Sequence, residues 1–148
     1  MKLDVNGYLL ITKFEGFSAT PYLCSAGIPT IGYGSTFYVD GAKVTMKDIA
    51  ISETQALVMF KAIADEFAAK VLKLLKKTVN QHQFNTLVSF AYNCGLNNLG
   101  KSTLLKKVNI NPDDPAIRYE FLKWNKAKGK IIVGLTRRRN EEARIYFS

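Results

Sequence analysis

Three observations on this 148-residue chain predict an α+β fold, with a small antiparallel sheet near the N-terminus and a helical body after it. Residues 19–45 interleave turn formers with β-formers: Pro21, Gly27, Pro29, Gly32, Gly34 and Asp40-Gly41 lie among Tyr22, Ile28, Ile31, Tyr33, Phe37, Tyr38 and Val39. After Thr45 the apolar residues recur at intervals of three and four, the period of a helix that buries one face. Hydrophobic residues at 47% and charged residues at 22% suit a single chain-length unit that buries a core, and exclude a disordered or fibrous one.

The elements follow in order. Asp4 or Asn6 caps a first helix carrying Tyr8, Leu9, Ile11 and Phe14; Gly16 stops it, so Glu15 falls in its last turn. Two or three strands follow, with Asp40-Gly41 as a hairpin turn. Residues 45–50 read as a short helix. Ser52, with Gln55 three residues on, forms a capping box that opens a long helix. Its apolar positions are Leu57, Phe60, Ile63 or Ala64, Phe67, Val71, Leu74 and Leu75, a stripe long enough for a spine between two lobes.

A helix from about Gln81 uses Phe84, Leu87, Val88, Ala91 and Tyr92, with Gly95 as its stop. Ser102 caps a short helix through Val108, and Asp114-Pro115 opens another through Trp124, with proline at its first position. Asn125 to Gly134 reads as a loop or short hairpin, and a closing helix runs from about Leu135 to Phe147. On this reading the sheet lobe covers about 17–50, the linking helix about 52–78, and the helical lobe about 80–148 together with the first helix.

The net charge is +9 and lopsided: residues 1–60 hold four basic and five acidic groups, residues 61–148 seventeen and seven. Such a field favours an anionic partner, and composition does not choose among nucleic acid, an acidic membrane and an acidic wall polymer. No apolar run approaches the roughly 18 residues that span a bilayer, and Met1-Lys2-Leu3-Asp4 lacks the apolar stretch of a secretory signal. The expectation is a soluble protein made in the cytoplasm, without stable membrane insertion.

Two cysteines, Cys24 and Cys94, are too few for a disulfide framework and lack the paired spacing of a zinc site. One histidine, His82, leaves no basis for a histidine metal cluster or a Ser-His-Asp triad; its place at a helix start fits an exposed polar role. Metals and cofactors are therefore not expected. Glu15 is the oddly placed acid: a helix C-terminus between Phe14 and Phe17 disfavours its negative charge and favours the protonated form. A glycosidase needs such a form to protonate a leaving-group oxygen.

Cys24 follows Glu15 after eight intervening residues, and Thr30 follows after five more, opening Thr30-Ile31-Gly32-Tyr33-Gly34. Farther along stand Phe90-Ala91-Tyr92-Asn93-Cys94-Gly95, Ser102-Thr103-Leu104-Leu105, and Gly134-Leu135-Thr136-Arg137-Arg138-Arg139 with Glu142 and Tyr146. In order and spacing this set resembles the phage-type lysozymes, glycoside hydrolase family 24, from about Tyr8 to Tyr146.

The resemblance implies a lysozyme-like fold and an endolysin that hydrolyses the β-1,4 bond between N-acetylmuramic acid and N-acetylglucosamine in peptidoglycan. By position, Glu15 would be the general acid, Cys24 would stand where aspartate is usual, and Thr30 would help hold the attacking water. The family is regarded as inverting, which calls for a gap of roughly 6.5–9.5 Å between paired catalytic carboxyls. Cys24 has three open readings: a thiolate base, a neutral thiol that orients water, or a covalent nucleophile. An arginine of the last block, Arg138 or Arg139, is implied to reach the glutamate.

Tyr33, Asn93, Ser102 and Thr103 are implied to border the glycan groove, whereas Trp124 sits at helical spacing and reads as core. A disulfide between Cys24 and Cys94 is open. The implied partner is peptidoglycan glycan strands, met by a monomer that gathers in the host cytoplasm and reaches the periplasm after holin-type release. Two other classes predict different behaviour: an inactive wall-binding homologue, which would not lyse cells, and a nucleic-acid-binding domain, whose affinity would fall steeply with salt.

Overall fold

The computed structural model describes residues 1–148. The chain divides into two compact units, Ile11–Glu66 in one and Met1–Leu10 with Phe67–Ser148 in the other.

Helix α1 spans Val5–Glu15. Of the two expected caps Asp4 is the one used: its carboxylate accepts the Gly7 N–H at 2.9 Å and also the Asn85 side-chain amide at 2.7 Å. Gly7 is required there, since a Cβ would lie 2.6 Å from both Asn85 Oδ1 and Leu3 Cδ2. The helix ends where Gly16 turns left-handed, at φ 67°.

In the unit of residues 11–66, strands β1 (Ser18–Leu23) and β2 (Pro29–Gly32) form an antiparallel pair with Tyr22 opposite Thr30 and Leu23 opposite Pro29. The ladder is irregular between Ser18 and Tyr22, the stretch that holds Pro21, which has no N–H to give. No third strand joins this pair. Asp40-Gly41 does form the expected turn, with Gly41 at φ 87°, but it is closed by the single bridge Phe37 to Lys43.

The helix expected over 45–50 is absent, and Asp48 is the reason. Its carboxylate accepts the backbone N–H of Thr45 at 2.8 Å, the Thr45 hydroxyl, and the Tyr38 hydroxyl at 2.6 Å. These bonds close a tight turn at a residue type that competes with helix for its own backbone.

Helix α2 (Glu53–Leu74) opens with the predicted box: Ser52 Oγ accepts the Gln55 N–H, and Gln55 Oε1 accepts the Ser52 N–H. Its buried face is set by Ala56, Met59, Phe60, Ala64, Ala68 and Val71, not by Leu57, which stays 40% exposed. Phe60, Ala64 and Val71 lie on this face as expected, and the small Ala56 and Ala68 complete it in place of the larger Leu57 and Phe67. Ile31, Val44 and Met59 form the core of this unit, flanked by Tyr38 and Ile51.

The other unit is built around helix α3 (Gln81–Cys94), capped by Asn80 and Gln83 and buried continuously from Gln83 to Ala91. Helix α4 (Leu96–Lys101) follows Gly95 directly, and α5 (Thr103–Ile110) begins at Ser102. Helix α6 (Ile117–Leu122) is shorter than predicted at both ends: Asp114 Oδ1 takes the Ala116 N–H, so Pro115 sits in a turn before the helix.

A small hairpin, β3 (Lys126–Ala127) and β4 (Lys130–Ile131), turns through left-handed Lys128 and Gly129, and helix α7 (Val133–Tyr146) closes the chain. Phe90 is the aromatic centre, with edge contacts to Phe121 at 5.9 Å and to Trp124 at 5.4 Å, so Trp124 packs inward as expected. His82 is exposed and its Nδ1 lies 2.9 Å from Ser148 Oγ. No helix is long and apolar enough to cross a membrane.

Candidate active site

The unit of residues 11–66 gathers Glu15, Cys24 and Thr30. Glu15 closes α1 and is half-buried against Gly34: a Cβ at that glycine would lie 2.8 Å from Glu15 Oε2. Gly34 also holds φ 80°, a conformation side-chain-bearing residues avoid. Space and backbone thus both demand glycine where the carboxylate rests.

Cys24 stands immediately after β1, in a loop that returns the chain to β2. Two backbone bonds close this loop: Cys24 N–H to Ile28 O at 3.0 Å and Gly27 N–H to Cys24 O at 2.8 Å, with Gly27 at φ 75°. The loop turns the backbone N–H groups of Ile28 and Ala26 onto the Cys24 sulfur, and with smaller help from Thr30 they hold its pKa below the ordinary thiol value. Half-buried and so surrounded, Cys24 is not an apolar strand residue. Both cysteines are free thiols.

Thr30 is buried on β2 and donates its hydroxyl proton to Ile28 O at 2.8 Å. The lone pairs of Thr30 Oγ1 remain able to accept a hydrogen bond, and the same side chain lies close enough to Cys24 to help lower the thiol pKa. Tyr22, opposite Thr30 across the ladder, completes the group. Its phenol pKa is raised by partial burial first and then by the charges of Glu15 and Cys24, so it is a neutral donor beside both.

The second unit holds a buried cluster of charged side chains. Arg138 and Arg139 both meet Glu142: Arg138 Nε at 3.2 Å, Arg139 Nη2 at 3.0 Å and Arg139 Nε at 2.7 Å. Ser89 Oγ donates to the same carboxylate at 2.7 Å, and Arg139 Nη1 donates to Cys94 Sγ at 2.6 Å. Burial raises the Cys94 thiol pKa, and the nearby Arg139 charge only partly opposes it. The Phe90 ring lies 5.1 Å from the Arg139 guanidinium and forms one wall.

The phage lysozyme family pattern matches residues 12–142. The chain belongs to the phage lysozyme family. It is 38% identical over 148 residues to an endolysin of Bacillus phage B103, covering all of this chain and 55% of that protein. To the endolysin of Salmonella phage P22 it is 32% identical over 143 residues, covering 97% of each. The chain therefore spans about half the length of the Bacillus phage relatives and nearly all of the P22 relative.

Among solved structures, an endolysin from Escherichia coli O157:H7 phage FAHEc1 superposes with a TM-score of 0.88 at 37% identity, covering 100% of this chain and 94% of that one. The muramidase domain of SpmX from Asticaccaulis excentricus gives a TM-score of 0.83 at 28% identity, covering 99% and 98%. The α+β, lysozyme-like architecture expected for the family is the one observed.

Not every residue expected at the glycan groove is available to a glycan. Tyr33 is buried, its hydroxyl donates to Glu53 Oε1 at 2.8 Å, and its ring packs on Phe17 and Phe60. Ser102 is likewise buried, donating to Leu99 O at 2.7 Å and accepting the Leu105 N–H at 3.0 Å, so its hydroxyl is a helix cap. Asn93 and Thr103 are exposed. Sequence reasoning passed over Tyr22, and a usable signal was present: it sits two residues before Cys24, near the end of the strand that leads into the Cys24 loop.

Proposed function

We propose that this chain is an endolysin that hydrolyses the β-1,4 bond between N-acetylmuramic acid and N-acetylglucosamine. The observation that carries this reading is the set of donors around Cys24. Backbone N–H groups of Ile28 and Ala26 stabilise the thiolate, which favours a charged Cys24 over a neutral thiol; the product anomer separates a base from a covalent nucleophile.

The step balances as a single displacement. Glu15 gives its proton to the leaving glycosidic oxygen as the C1–O bond breaks, and a water attacks C1 from the opposite face. That water passes a proton to Cys24 Sγ while Thr30 Oγ1 accepts its other hydrogen. Glu15 ends as carboxylate, Cys24 as thiol, and the anomeric configuration is inverted.

On this reading the partner is peptidoglycan glycan, and the chain acts as a monomer. It gathers in the host cytoplasm and reaches the wall after a separate pore opens.

Two assays test the proposal together. Purified peptidoglycan should lose turbidity with wild-type chain, and Glu15→Gln should lower the rate by on the order of 100-fold or more. Wild-type chain that binds but never cleaves peptidoglycan overturns the enzymatic reading. Proton NMR of the first product should show the α-anomer; an initial β-anomer would overturn the inverting step.

A further inference from the structure

Thr30 and Cys24 leave the attacking water incompletely held. Both accept from it, so they fix its two hydrogens and leave it free to swing about them. A third contact, given to one of the water's lone pairs, would leave only the other lone pair to meet C1.

Tyr22 is placed to give it. The register sets Tyr22 directly opposite Thr30, where side chains of paired strands share a face about 4.5–5.5 Å apart at Cβ. Alternation within β1 sets Tyr22 and the exposed Leu23 on opposite faces, and Cys24, just past the strand, lies near enough for its charge to act on the Tyr22 phenol. The Tyr22 ring is 37% exposed, open to an incoming substrate rather than sealed in the core. No hydrogen bond occupies its hydroxyl, unlike that of Tyr33, which Glu53 holds at 2.8 Å, or of Tyr38, which Asp48 holds at 2.6 Å.

We infer that Tyr22 is a positioning residue of the hydrolytic step, its phenol O–H donating to the water that Thr30 Oγ1 and Cys24 Sγ accept from. This rests on the proposed muramidase activity and deepens it. Partial burial first, and then the charges of Glu15 and Cys24, raise the phenol pKa above its ordinary value, so Tyr22 keeps its proton at neutral pH. It takes no part in proton transfer: the water's proton still goes to sulfur, and the phenol keeps its own.

Tyr22→Phe keeps the ring and removes only the donor. Peptidoglycan hydrolysis should show kcat lowered by roughly 10- to 100-fold with KM within about twofold, since a water contact acts in the displacement and not in glycan binding. The thermal midpoint and the pH limbs of the rate should stay those of wild type. Thr30→Val combined with Tyr22→Phe should cost far less than the product of the two single losses, because both hold one water.

Unchanged kcat in Tyr22→Phe, a loss confined to KM, or losses that multiply in the double variant would each overturn the inference. Wild-type activity is measured first in the same assay. A silent wild type refutes the proposed function, whereas an active wild type with an equally active Tyr22→Phe refutes only the role of Tyr22.

Discussion

A thiol where a carboxylate is usual poses a problem of charge, since an ordinary cysteine is mostly neutral at pH 7. The loop of residues 24–28 addresses it by turning backbone N–H groups onto the sulfur. Because the pKa is lowered, the thiolate fills at a lower pH than an ordinary thiol would allow, and hydrolysis that needs the base should rise with pH through that lowered value. Cys24→Ser should lose this limb and most of the rate, and Cys24→Asp should move the limb toward the carboxylate range near pH 4. A wild-type rate independent of pH between 6 and 9, matched by Cys24→Ser, would exclude the thiolate. Gly34→Ala tests the acid. Its left-handed backbone should cost about 1–2 kcal/mol in a denaturant titration, and the Cβ, 2.8 Å from Oε2, should displace Glu15 and lower kcat. The spacing of Glu15, Cys24 and Thr30 carries the family resemblance, and the fold sets them at a helix end, in a loop and on a strand of one unit. Tyr33 misled because its neighbours Thr30, Gly32 and Gly34 belong to the site loop, while its own side chain turns into the core.

Among the elements, those with side-chain caps were readable and those decided by tertiary packing were not. Asp4, Ser52 and Ser102 each start the helix expected of them, and Asn80 caps the one expected from about Gln81. Residues 45–50 failed because helical periodicity carries no information about Tyr38, ten residues from Asp48, whose hydroxyl draws the aspartate into a turn. Leu57 failed because α2 buries small alanines, a preference that hydrophobicity alone does not reveal. Helix α7 offers the sharpest energetic test. Arg139 and Glu142 are fully buried and meet through two contacts, at 3.0 and 2.7 Å. Glu142→Gln should strand that guanidinium and cost about 3–5 kcal/mol, read as a lower urea midpoint. A loss under about 1 kcal/mol would show that Cys94 and Phe90 suffice to hold the charge.

Across the whole molecule the charge is divided unevenly, with residues 1–60 near neutral and residues 61–148 carrying seventeen basic against seven acidic groups. Lys126, Lys128 and Lys130 on the β3–β4 hairpin are exposed and join no salt bridge, so their field reaches solvent. Replacing all three with Gln should slow lysis of permeabilised cells at low salt and have little effect near 1 M, where screening shortens the reach of a charge to about 3 Å. An equal loss at every salt concentration would assign the lysines to the fold. The sign of this field was plain in the sequence; its location on a projecting turn was not, because a five-residue run gives no measure of exposure.

The order in which the chain is made has a bearing on all of this. Met1–Leu10 belongs to the same unit as residues 67–148, and Asp4 and Gly7 are fitted to Asn85. On the ribosome those ten residues emerge before the rest of their unit and must wait for partners made more than fifty residues later. The segment of residues 11–66, with the acid, the thiol and the threonine already aboard, can begin its sheet in the meantime. Synthesis therefore delivers Glu15, Cys24 and Thr30 before it delivers the unit that the first helix needs to finish packing, and the buried arginines of α7 come later than both.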